Sequence, residues 1–167
     1  RERLLPRHTF RSSGDTEVLA HLYEEKGPAM VNELNGMFAF ALWDTSKQEL
    51  ILARDRMGKK PLYWSLAGST LIFGSELKAI LKHPLVKREI DPEALAVYFA
   101  YEYVPSPQSI FKGIHKLAPG HMLSFRSGRV SVTQYWDLPV AEPQSNVSES
   151  EALGRIDELL SRAVERR

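Results

Sequence analysis

The sequence predicts an α+β fold, in which antiparallel strands and a few helices follow one another without an internal repeat. Two observations support this prediction. Short apolar runs separated by tight turns, which are typical of antiparallel strands, cluster in the first half of the chain. Other segments carry apolar residues at helical spacing between capping residues and Gly or Pro stops. Because the strands follow one another directly, the pattern favours antiparallel pairing over parallel βαβ units.

A helix is predicted first, from about Thr16 to Lys26. The polar turn at 12–15 supplies oxygen-bearing side chains that can cap this helix, and Gly27-Pro28 ends it. The apolar residues at helical spacing are Val18, Leu19, Leu22 and Tyr23.

Four short strands are predicted next, with brief turns between them. Their ranges are 37–43, 49–54, 62–66 and 70–74. The first is rich in Phe and Ala and is interpreted as a buried strand. Adjacent strands joined by short turns predict one antiparallel meander.

The following part of the chain mixes helices with a hairpin. A short helix is predicted at 76–81, before His83-Pro84. Asp91-Pro92-Glu93 starts another helix, with Asp as the cap and Pro in the first turn, and it runs to about Tyr103. Residues 104–107 are interpreted as an extended linker, and 121–126 with 129–135 as a hairpin.

The C-terminal part is interpreted as a linker followed by one helix. Residues 137–147 are polar and hold two prolines. Ser148 and Glu151 then form a capping box. The apolar face of this last helix carries Leu153, Ile156, Leu159, Leu160 and Val164. Such a face needs a partner surface, which suggests the first helix of a further domain.

Composition and charge exclude several classes of function. The chain has 22 basic and 21 acidic residues and a net charge of +1, which does not suggest a nucleic acid or an anionic membrane as partner. Its apolar runs are too short to span a bilayer and no signal-peptide pattern opens it, so we expect a cytoplasmic location. There is no cysteine, which excludes disulfides and thiolate chemistry within this chain. Since the chain opens on Arg1 rather than Met, we expect it to be part of a longer protein.

Asp15 is the first candidate for a functional residue, because it places a carboxylate at the start of a helix. Two interpretations are open. The side chain can cap the helix, which contributes about 1 kcal/mol. It can instead bind the ammonium group of an amino-acid ligand. From the chemistry alone, capping is favoured.

Arg54, Asp55 and Arg56 form the second candidate. They could bind a phosphate or an acidic substrate, but we favour an internal ion-pair network in which Asp55 lies between the two guanidinium groups. Lys59 and Lys60 follow Gly58, yet the Gly-rich phosphate-loop pattern is incomplete.

The remaining candidates favour structure over chemistry. The five histidines form no i, i+4 pair and have no carboxylate cluster beside them, so no metal site is predicted. No Gly-x-Ser-x-Gly sequence occurs, which argues against a serine nucleophile. The aromatic residues of the strands and the residue after the hairpin are expected in the core; they are Phe38, Phe40, Trp43, Trp64, Phe73 and Trp136.

Several sequence motifs occur in the order found in glutamine-hydrolysing asparagine synthetases. They are 13–18 (SGDTEV), 34–44 (LNGMFAFALWD), 53–63 (ARDRMGKKPLY), 73–80 (FGSELKAI), 103–107 (YVPSP), 119–121 (PGH) and 135–136 (YW). The chain resembles this family of class II glutamine amidotransferases over nearly its whole length. The resemblance implies an amino-terminal-nucleophile (Ntn) glutaminase-type fold, with two antiparallel sheets between helical layers. It also implies that 1–136 are the C-terminal part of the amidotransferase domain, 137–147 a linker and 148–167 the first helix of the synthetase domain.

In the family, an amino-terminal cysteine attacks the amide of glutamine, and the released ammonia amidates aspartate that ATP has activated. The cysteine, the oxyanion Asn-Gly-Glu and the ATP-binding Ser-Gly-Gly-x-Asp-Ser are absent from these residues. No catalytic residue is therefore assigned, and we expect the 167-residue chain alone not to hydrolyse glutamine. The resemblance implies that Asp15 holds the α-amino group of glutamine, which reverses the preference for capping. It gives Arg54, Asp55 and Arg56 a supporting role beneath the site.

The resemblance implies further partners for the parent protein. Glutamine, aspartate and ATP are its small-molecule substrates, ATP and Mg²⁺ serve the synthetase domain, and a homodimer is possible. This chain itself is expected to hold no cofactor and no metal. Two alternatives stay open: a paralogue that amidates another acceptor in polysaccharide or antibiotic synthesis, and a non-catalytic binding module.

Overall fold

The computed structural model describes residues 1–139 and 147–165. The chain divides into two units, Arg1–Asp137 and Leu138–Arg167. The first unit holds all seven strands found in the described residues, and the second holds the C-terminal helix.

Two antiparallel sheets form the first unit. The strands are β1 (Ala39–Asp44), β2 (Glu49–Arg54), β3 (Tyr63–Ala67), β4 (Thr70–Gly74), β5 (Ile114–Lys116), β6 (His121–Arg126) and β7 (Arg129–Gln134). The larger sheet has the order β1-β2-β6-β7 and the smaller one the order β4-β3-β5. All pairs are antiparallel.

The predicted four-stranded meander is therefore wrong, although the four strands exist. The hairpins β1–β2 and β3–β4 belong to different sheets. The second edge of β2 is taken by β6, with Leu52 opposite Leu123, so β3 has no free edge there to pair with. Both residues are fully buried, and this long-range pairing cannot be read from turn lengths.

The helices are α1 (Thr16–Lys26), α2 (Leu77–Ile80), α3 (Pro92–Tyr101) and α4 (Glu149–Glu165), and a 3-10 helix over Gly27–Glu33 follows α1. The bounds of α1 are those predicted. The 3-10 helix was not predicted, and it buries Met30 and Val31. The end of α3 comes two residues early because Glu102 adopts a left-handed conformation with φ of 62°. Strand β5 was also missed, since three residues are too few for a periodic pattern.

The main core lies between the two sheets. Its buried residues are Leu52, Leu62, Leu117 and Leu123, and Leu50, Trp64, Leu71 and Phe125 from both sheets pack against them. A second cluster of Ile72, Ile80 and Ile114 joins the smaller sheet to α2. The resulting order of larger sheet, smaller sheet and helix agrees with the predicted α+β class.

Two expectations about burial are wrong. Strand β1 is an edge strand with no fully buried residue, because one of its edges has no partner strand among the described residues. Trp43 and Phe73 are 50% and 41% exposed, so these two aromatic residues are not core. Trp43 lies opposite Leu50 and Phe73 opposite Trp64, on the core-facing side of each strand, but β1 and β4 are the outermost strands of their sheets, where the core covers less of each side chain.

Helix α4 is amphipathic, as its sequence pattern predicts. The Glu151 N–H donates to Ser148 Oγ at 3.3 Å, which is the first half of the predicted capping box. The apolar residues of its stripe are all more than half exposed. Of the predicted linker, residues 140–146 lie outside the described part of the chain. None of the helices in the described ranges is long and apolar enough to cross a membrane.

Candidate functional site

An open cleft of about 790 Å³ lies beside the N-terminus of α1. Its walls come from the start of α1, the segment before and within β1, the loop after β2 and the residue after β4. The residues that line it are Asp15, Thr16, Val18, Leu19, Leu34, Asn35, Gly36, Met37, Phe38, Ala39, Phe40, Lys60, Pro61 and Ser75. The lining is largely apolar, with one carboxylate and one ammonium side chain among a few polar groups.

Asp15 stands in this wall at the N-cap of α1, but its side chain makes no capping hydrogen bond. Its backbone is helical, with φ of −74° and ψ of −27°, whereas a capping residue usually adopts an extended ψ. Asp91 shows the contrast: with ψ of 114° its carboxylate accepts from Glu93 N at 2.9 Å. Among the described residues, the Asp15 carboxylate accepts one long hydrogen bond, from Thr16 Oγ1 at 3.5 Å.

Glu17 stabilises the turn that precedes α1 and does not cap the helix. Its carboxylate accepts hydrogen bonds from Arg11 N, Ser12 N and Ser12 Oγ, each at 2.7 Å. These bonds, led by the one from Arg11 N, lower the pKa of Glu17 to about 2. Glu17 was missed as a structural residue, although its place two residues after Asp15 in an acidic first turn was a signal. Because Glu17 holds the turn, the carboxylate of Asp15 remains available to the cleft.

The loop after β2 is organised by backbone hydrogen bonds to charged side chains. The Asp55 carboxylate is 1% exposed and accepts from Met57 N at 3.2 Å, Lys59 N at 2.9 Å and Lys60 N at 2.9 Å. The Arg54 guanidinium donates to the carbonyl oxygens of Lys60, Leu117 and Gly58 at 2.8, 2.6 and 2.7 Å. Burial lowers the pKa of Arg54, and the nearby Asp55 charge opposes that shift.

The predicted ion-pair network at this loop is wrong. Within the described residues, no ion pair shorter than 4 Å joins Asp55 to Arg54 or Arg56. The three side chains point to different backbone groups, and Arg56 Nη2 donates to Asn32 O at 3.2 Å. Backbone N–H and C=O groups in a tight loop need partners, and these charged side chains supply them.

The loop connects the cleft to two distant segments of the chain. Asp55 N donates to Phe38 O at 2.8 Å, and Gly120 N donates to Asp55 O at 3.0 Å. Tyr135 Oη donates to Arg54 O at 2.6 Å. The motifs at 53–63, 119–121 and 135–136, far apart in sequence, thus meet at one place. Since Phe38 and Lys60 line the cleft, this junction fixes one of its walls.

The histidines differ from the expectation in one respect. His8 and His21 do have carboxylates beside them, because Glu17, Glu24 and Glu25 lie within 4 Å of their ring nitrogens. His8 comes from the segment before α1, and only folding brings it against the helix.

A family model described as a glutamine amidotransferase domain matches residues 1–136. The chain belongs to the glutamine amidotransferase domain family. The match covers the two sheets, the cleft and the junction of Arg54 and Asp55, so these are features of the amidotransferase domain.

Curated relatives agree with this assignment. The amidotransferase domain is 42% identical over 132 residues to asparagine synthetase (glutamine-hydrolysing) 3 of Bacillus subtilis, covering 78% of this chain and 22% of that protein. It is 41% identical over 133 residues to a putative asparagine synthetase (glutamine-hydrolysing) 2 of Methanocaldococcus jannaschii, covering 77% of this chain and 26% of the relative. The chain thus spans about a quarter of the length of the relatives it matches.

A solved structure confirms the fold. Glutamine phosphoribosylpyrophosphate amidotransferase from Bacillus subtilis, in complex with ADP and GMP, superposes with a TM-score of 0.52 at 22% identity. The superposition covers 81% of this chain and 26% of that one. The α+β fold of the amino-terminal-nucleophile type, with two antiparallel sheets, is therefore the fold of this amidotransferase domain.

Proposed function

We propose that residues 1–136 are part of the glutaminase domain of a glutamine-dependent asparagine synthetase, and that Asp15 binds the α-amino group of glutamine. The observation that supports this role is the carboxylate of Asp15, which lines the cleft and makes no capping bond. Charge-assisted hydrogen bonds from an ammonium group suit such a carboxylate. The cleft, at about 790 Å³, falls in the size range of small-molecule sites.

Arg54, Asp55 and Arg56 support the cleft in this proposal and do not contact glutamine. The Asp55 carboxylate accepts a hydrogen bond from Lys60 N and so stabilises the loop that carries Lys60. The Asp55 N–H donates to Phe38 O, which fixes the segment before β1 against the same loop. A substitution at any of the three residues would change glutamine binding indirectly, by moving the cleft wall that Phe38 and Lys60 form.

The reaction of the whole protein is proposed from its relatives, whose names describe glutamine hydrolysis and asparagine synthesis. In the parent, glutamine would release ammonia, and aspartate would be amidated with ATP and Mg²⁺ bound outside these residues. Residues 137–147 would be the linker and 148–167 the first helix of the synthetase domain. The cytoplasmic location and the homodimer belong to the same proposal. The 167-residue chain contains no cysteine, and we propose that it does not hydrolyse glutamine by itself.

Binding can be tested on the 167-residue chain by ¹H–¹⁵N NMR titration. L-Glutamine should shift the amide signals of the cleft, in particular those of Thr16, Asn35 and Gly36. N-Acetyl-L-glutamine lacks the ammonium group and serves as the matched control ligand, which should cause much smaller shifts. The Asp15→Asn variant should lose the response to glutamine and keep the wild-type spectrum elsewhere. Equal binding of the two ligands, or an unchanged response in the variant, would contradict the role of Asp15.

The parent reaction needs a separate measurement on the longer protein that carries this chain. With glutamine as nitrogen donor, Asp15→Asn should raise KM, while activity with added ammonia should stay as in the wild type. Product analysis with aspartate and ATP decides the acceptor. Formation of asparagine supports the proposal, and failure to amidate aspartate while glutamine is hydrolysed would favour the paralogue with another acceptor.

A further inference from the structure

A cluster of two histidines and three glutamates lies where the N-terminal segment packs against α1, outside the proposed glutamine site. His8, from the segment before the helix, stacks against His21 with ring centroids 4.5 Å apart. One ligand atom from each of His8, His21 and Glu24 can be chosen so that all three lie within 4.8 Å of one another. Neither the family assignment nor the glutamine site uses these side chains.

We propose that His8, His21 and Glu24 form a binding site for a divalent zinc ion that clamps the N-terminal segment to α1. Two imidazoles and one carboxylate are a set of nitrogen and oxygen ligands that zinc accepts. Glu24 Oε2 lies 3.4 Å from His8 Nδ1 and 2.9 Å from His21 Nδ1. Ligand atoms of a tetrahedral zinc ion are about 3.4 Å apart, given bonds of about 2.0–2.1 Å. Small side-chain adjustments would therefore place all three atoms around one ion.

The outer contacts of the two imidazoles fit metal binding through Nδ1. His8 Nε2 lies 3.0 Å from Glu25 Oε1, and that carboxylate is itself paired with Arg7 Nε at 3.3 Å. His21 Nε2 is buried, has no hydrogen-bond partner among the described residues and lies 3.8 Å from Glu17 Oε1. A metal-binding histidine usually donates its second ring N–H to a carboxylate, which fixes the tautomer and the ring orientation. His8 has such a carboxylate within hydrogen-bond distance of the nitrogen that points away from Glu24, and His21 has one 3.8 Å from the corresponding nitrogen.

Burial and charge favour the same arrangement. The side chains of His8 and His21 are each 16% exposed, whereas Glu24 is 61% exposed. The imidazoles are thus held in place, and the exposed carboxylate can move to complete the site, with water as a fourth ligand. Three carboxylates and one arginine around the imidazoles contribute a net negative charge, which attracts a cation. A bound ion would link His8, which precedes Asp15 in the chain, to His21 and Glu24, which follow it on α1. The segment that contains Asp15 would then be held at both ends.

The first test is zinc binding by the metal-free 167-residue chain, measured by competition with a chromophoric chelator. We expect one equivalent of zinc to bind. His8→Gln and His21→Gln should each abolish this binding, and His83→Gln, which changes a histidine outside the cluster, should leave it unchanged. Absence of zinc binding, or an equal loss in His83→Gln, would overturn the proposal.

The second test separates coordination from simple ion pairing. Long-range ¹H–¹⁵N NMR spectra report which ring nitrogen carries the proton. Zinc should shift the Nδ1 signals of His8 and His21, while Nε2 of both rings stays protonated. If zinc leaves both rings unchanged, the cluster is an ion-pair network only and the proposal fails.

The glutamate variants keep the test decisive if a histidine variant unfolds. Glu24→Gln changes an exposed side chain and should abolish zinc binding without altering the circular dichroism spectrum. Glu25→Gln should weaken binding about 10- to 100-fold, because it removes the negative charge beside His8 Nε2 and leaves the three ligands. Wild-type zinc affinity in a folded Glu24→Gln protein would exclude this site.

Discussion

At the scale of single residues, buried charge in this domain is matched mainly by the backbone. Asp55 is 1% exposed, and its two carboxylate oxygens accept three backbone N–H groups of its own loop. The Arg54 guanidinium donates hydrogen bonds to three backbone carbonyl oxygens. A charged group satisfied by several backbone dipoles fixes the loop that contributes Lys60 to the cleft.

Asp55→Ala should lower the free energy of unfolding by roughly 3 kcal/mol, since it leaves several N–H groups of a part-buried loop without an acceptor. Urea unfolding followed by tryptophan fluorescence measures the change. Asp15→Ala is the matched control, because Asp15 makes no capping bond, and its effect should be within about 0.5 kcal/mol. Equal effects of the two substitutions would refute the assigned role of Asp55.

Asp44 should make stability depend on pH in the acid range. Hydrogen bonds from Ser46 Oγ, Lys47 N and Tyr23 Oη hold the pKa of its carboxyl well below the usual value of 3.8. A depressed folded-state pKa gives stabilisation that is present above pH 3.8 and is lost as the pH falls through the folded-state pKa. Asp44→Asn should therefore lower Tm at pH 6, and its difference from wild type should begin to shrink only when the pH falls below about 3.8.

The control for Asp44 is Ser46→Ala, which removes the leading cause of the pKa shift. In that background, the pH dependence contributed by Asp44 should be smaller. Thermal unfolding at a series of pH values measures both effects. A difference between Asp44→Asn and wild type that stays constant down to pH values near 2 would contradict the expectation.

At the scale of elements, two loops and the end of β7 meet where glycine leaves room for the backbone. Gly120 N donates to Asp55 O, and Gly120 O accepts from Tyr135 N and Trp136 N. A Cβ at Gly120 would lie 2.4 Å from Trp136 O, and its φ is 66°. The close approach of these backbones is thus possible only without a side chain, and it sets the position of the Arg54 carbonyl that Tyr135 binds. Burial, with a smaller effect of the Asp55 charge, raises the pKa of Tyr135 to about 12, so its hydroxyl remains a donor at neutral pH.

Gly120→Ala should be much more destabilising than Gly68→Ala, although both glycines have a positive φ. Gly68, with φ of 61°, has no atom within 4 Å of an added Cβ, so its substitution costs only the conformational strain, about 1 kcal/mol. At Gly120 the clash with a backbone oxygen adds about 1–3 kcal/mol. Free energies of unfolding of the two variants, measured under the same conditions, test this difference. Similar values would show that the backbone around Gly120 and Trp136 can shift to accommodate a side chain at little cost.

At the scale of the whole molecule, the first unit depends on contact between its two sheets. Leu52 of β2 and Leu123 of β6 pack with Leu62 and Leu117, and all four are at most 5% exposed. Apolar side chains from both sheets surround them, so the cluster holds the two sheets face to face. The cleft walls come from several of these elements, which makes its shape a product of the sheet packing.

Leu52→Ala should cost about 2–5 kcal/mol of unfolding free energy, because it removes buried volume between the sheets. Leu66→Ala is the matched control, since Leu66 lies on β3 and is 39% exposed. Its substitution should cost clearly less. Denaturant unfolding of both variants tests the prediction, and a larger effect at Leu66 would contradict a core between the two sheets.

The sequence predicted individual elements well where the signal is local. The bounds of α1 and β2, the β6–β7 hairpin and the cap by Asp91 all follow from spacing, turn residues and capping chemistry within a few positions. The family resemblance predicted the two-sheet fold and the amidotransferase assignment, both of which are confirmed. The role of Asp15 and the domain boundaries at 136 and 148 stay predictions.

Only the tertiary structure decided which strands pair, where charged side chains point and which distant residues meet. Turn lengths favoured a meander, but burial of Leu52 against Leu123 selects β6 as the neighbour of β2. Local chemistry alone favoured capping by Asp15, but its side chain makes no capping bond and lines the cleft, while Glu17 satisfies the turn before α1. His8 comes to lie beside His21 only because the N-terminal segment folds back onto α1. Local propensity acts over a few residues, whereas long-range burial and hydrogen bonding depend on which surfaces meet after the chain has folded.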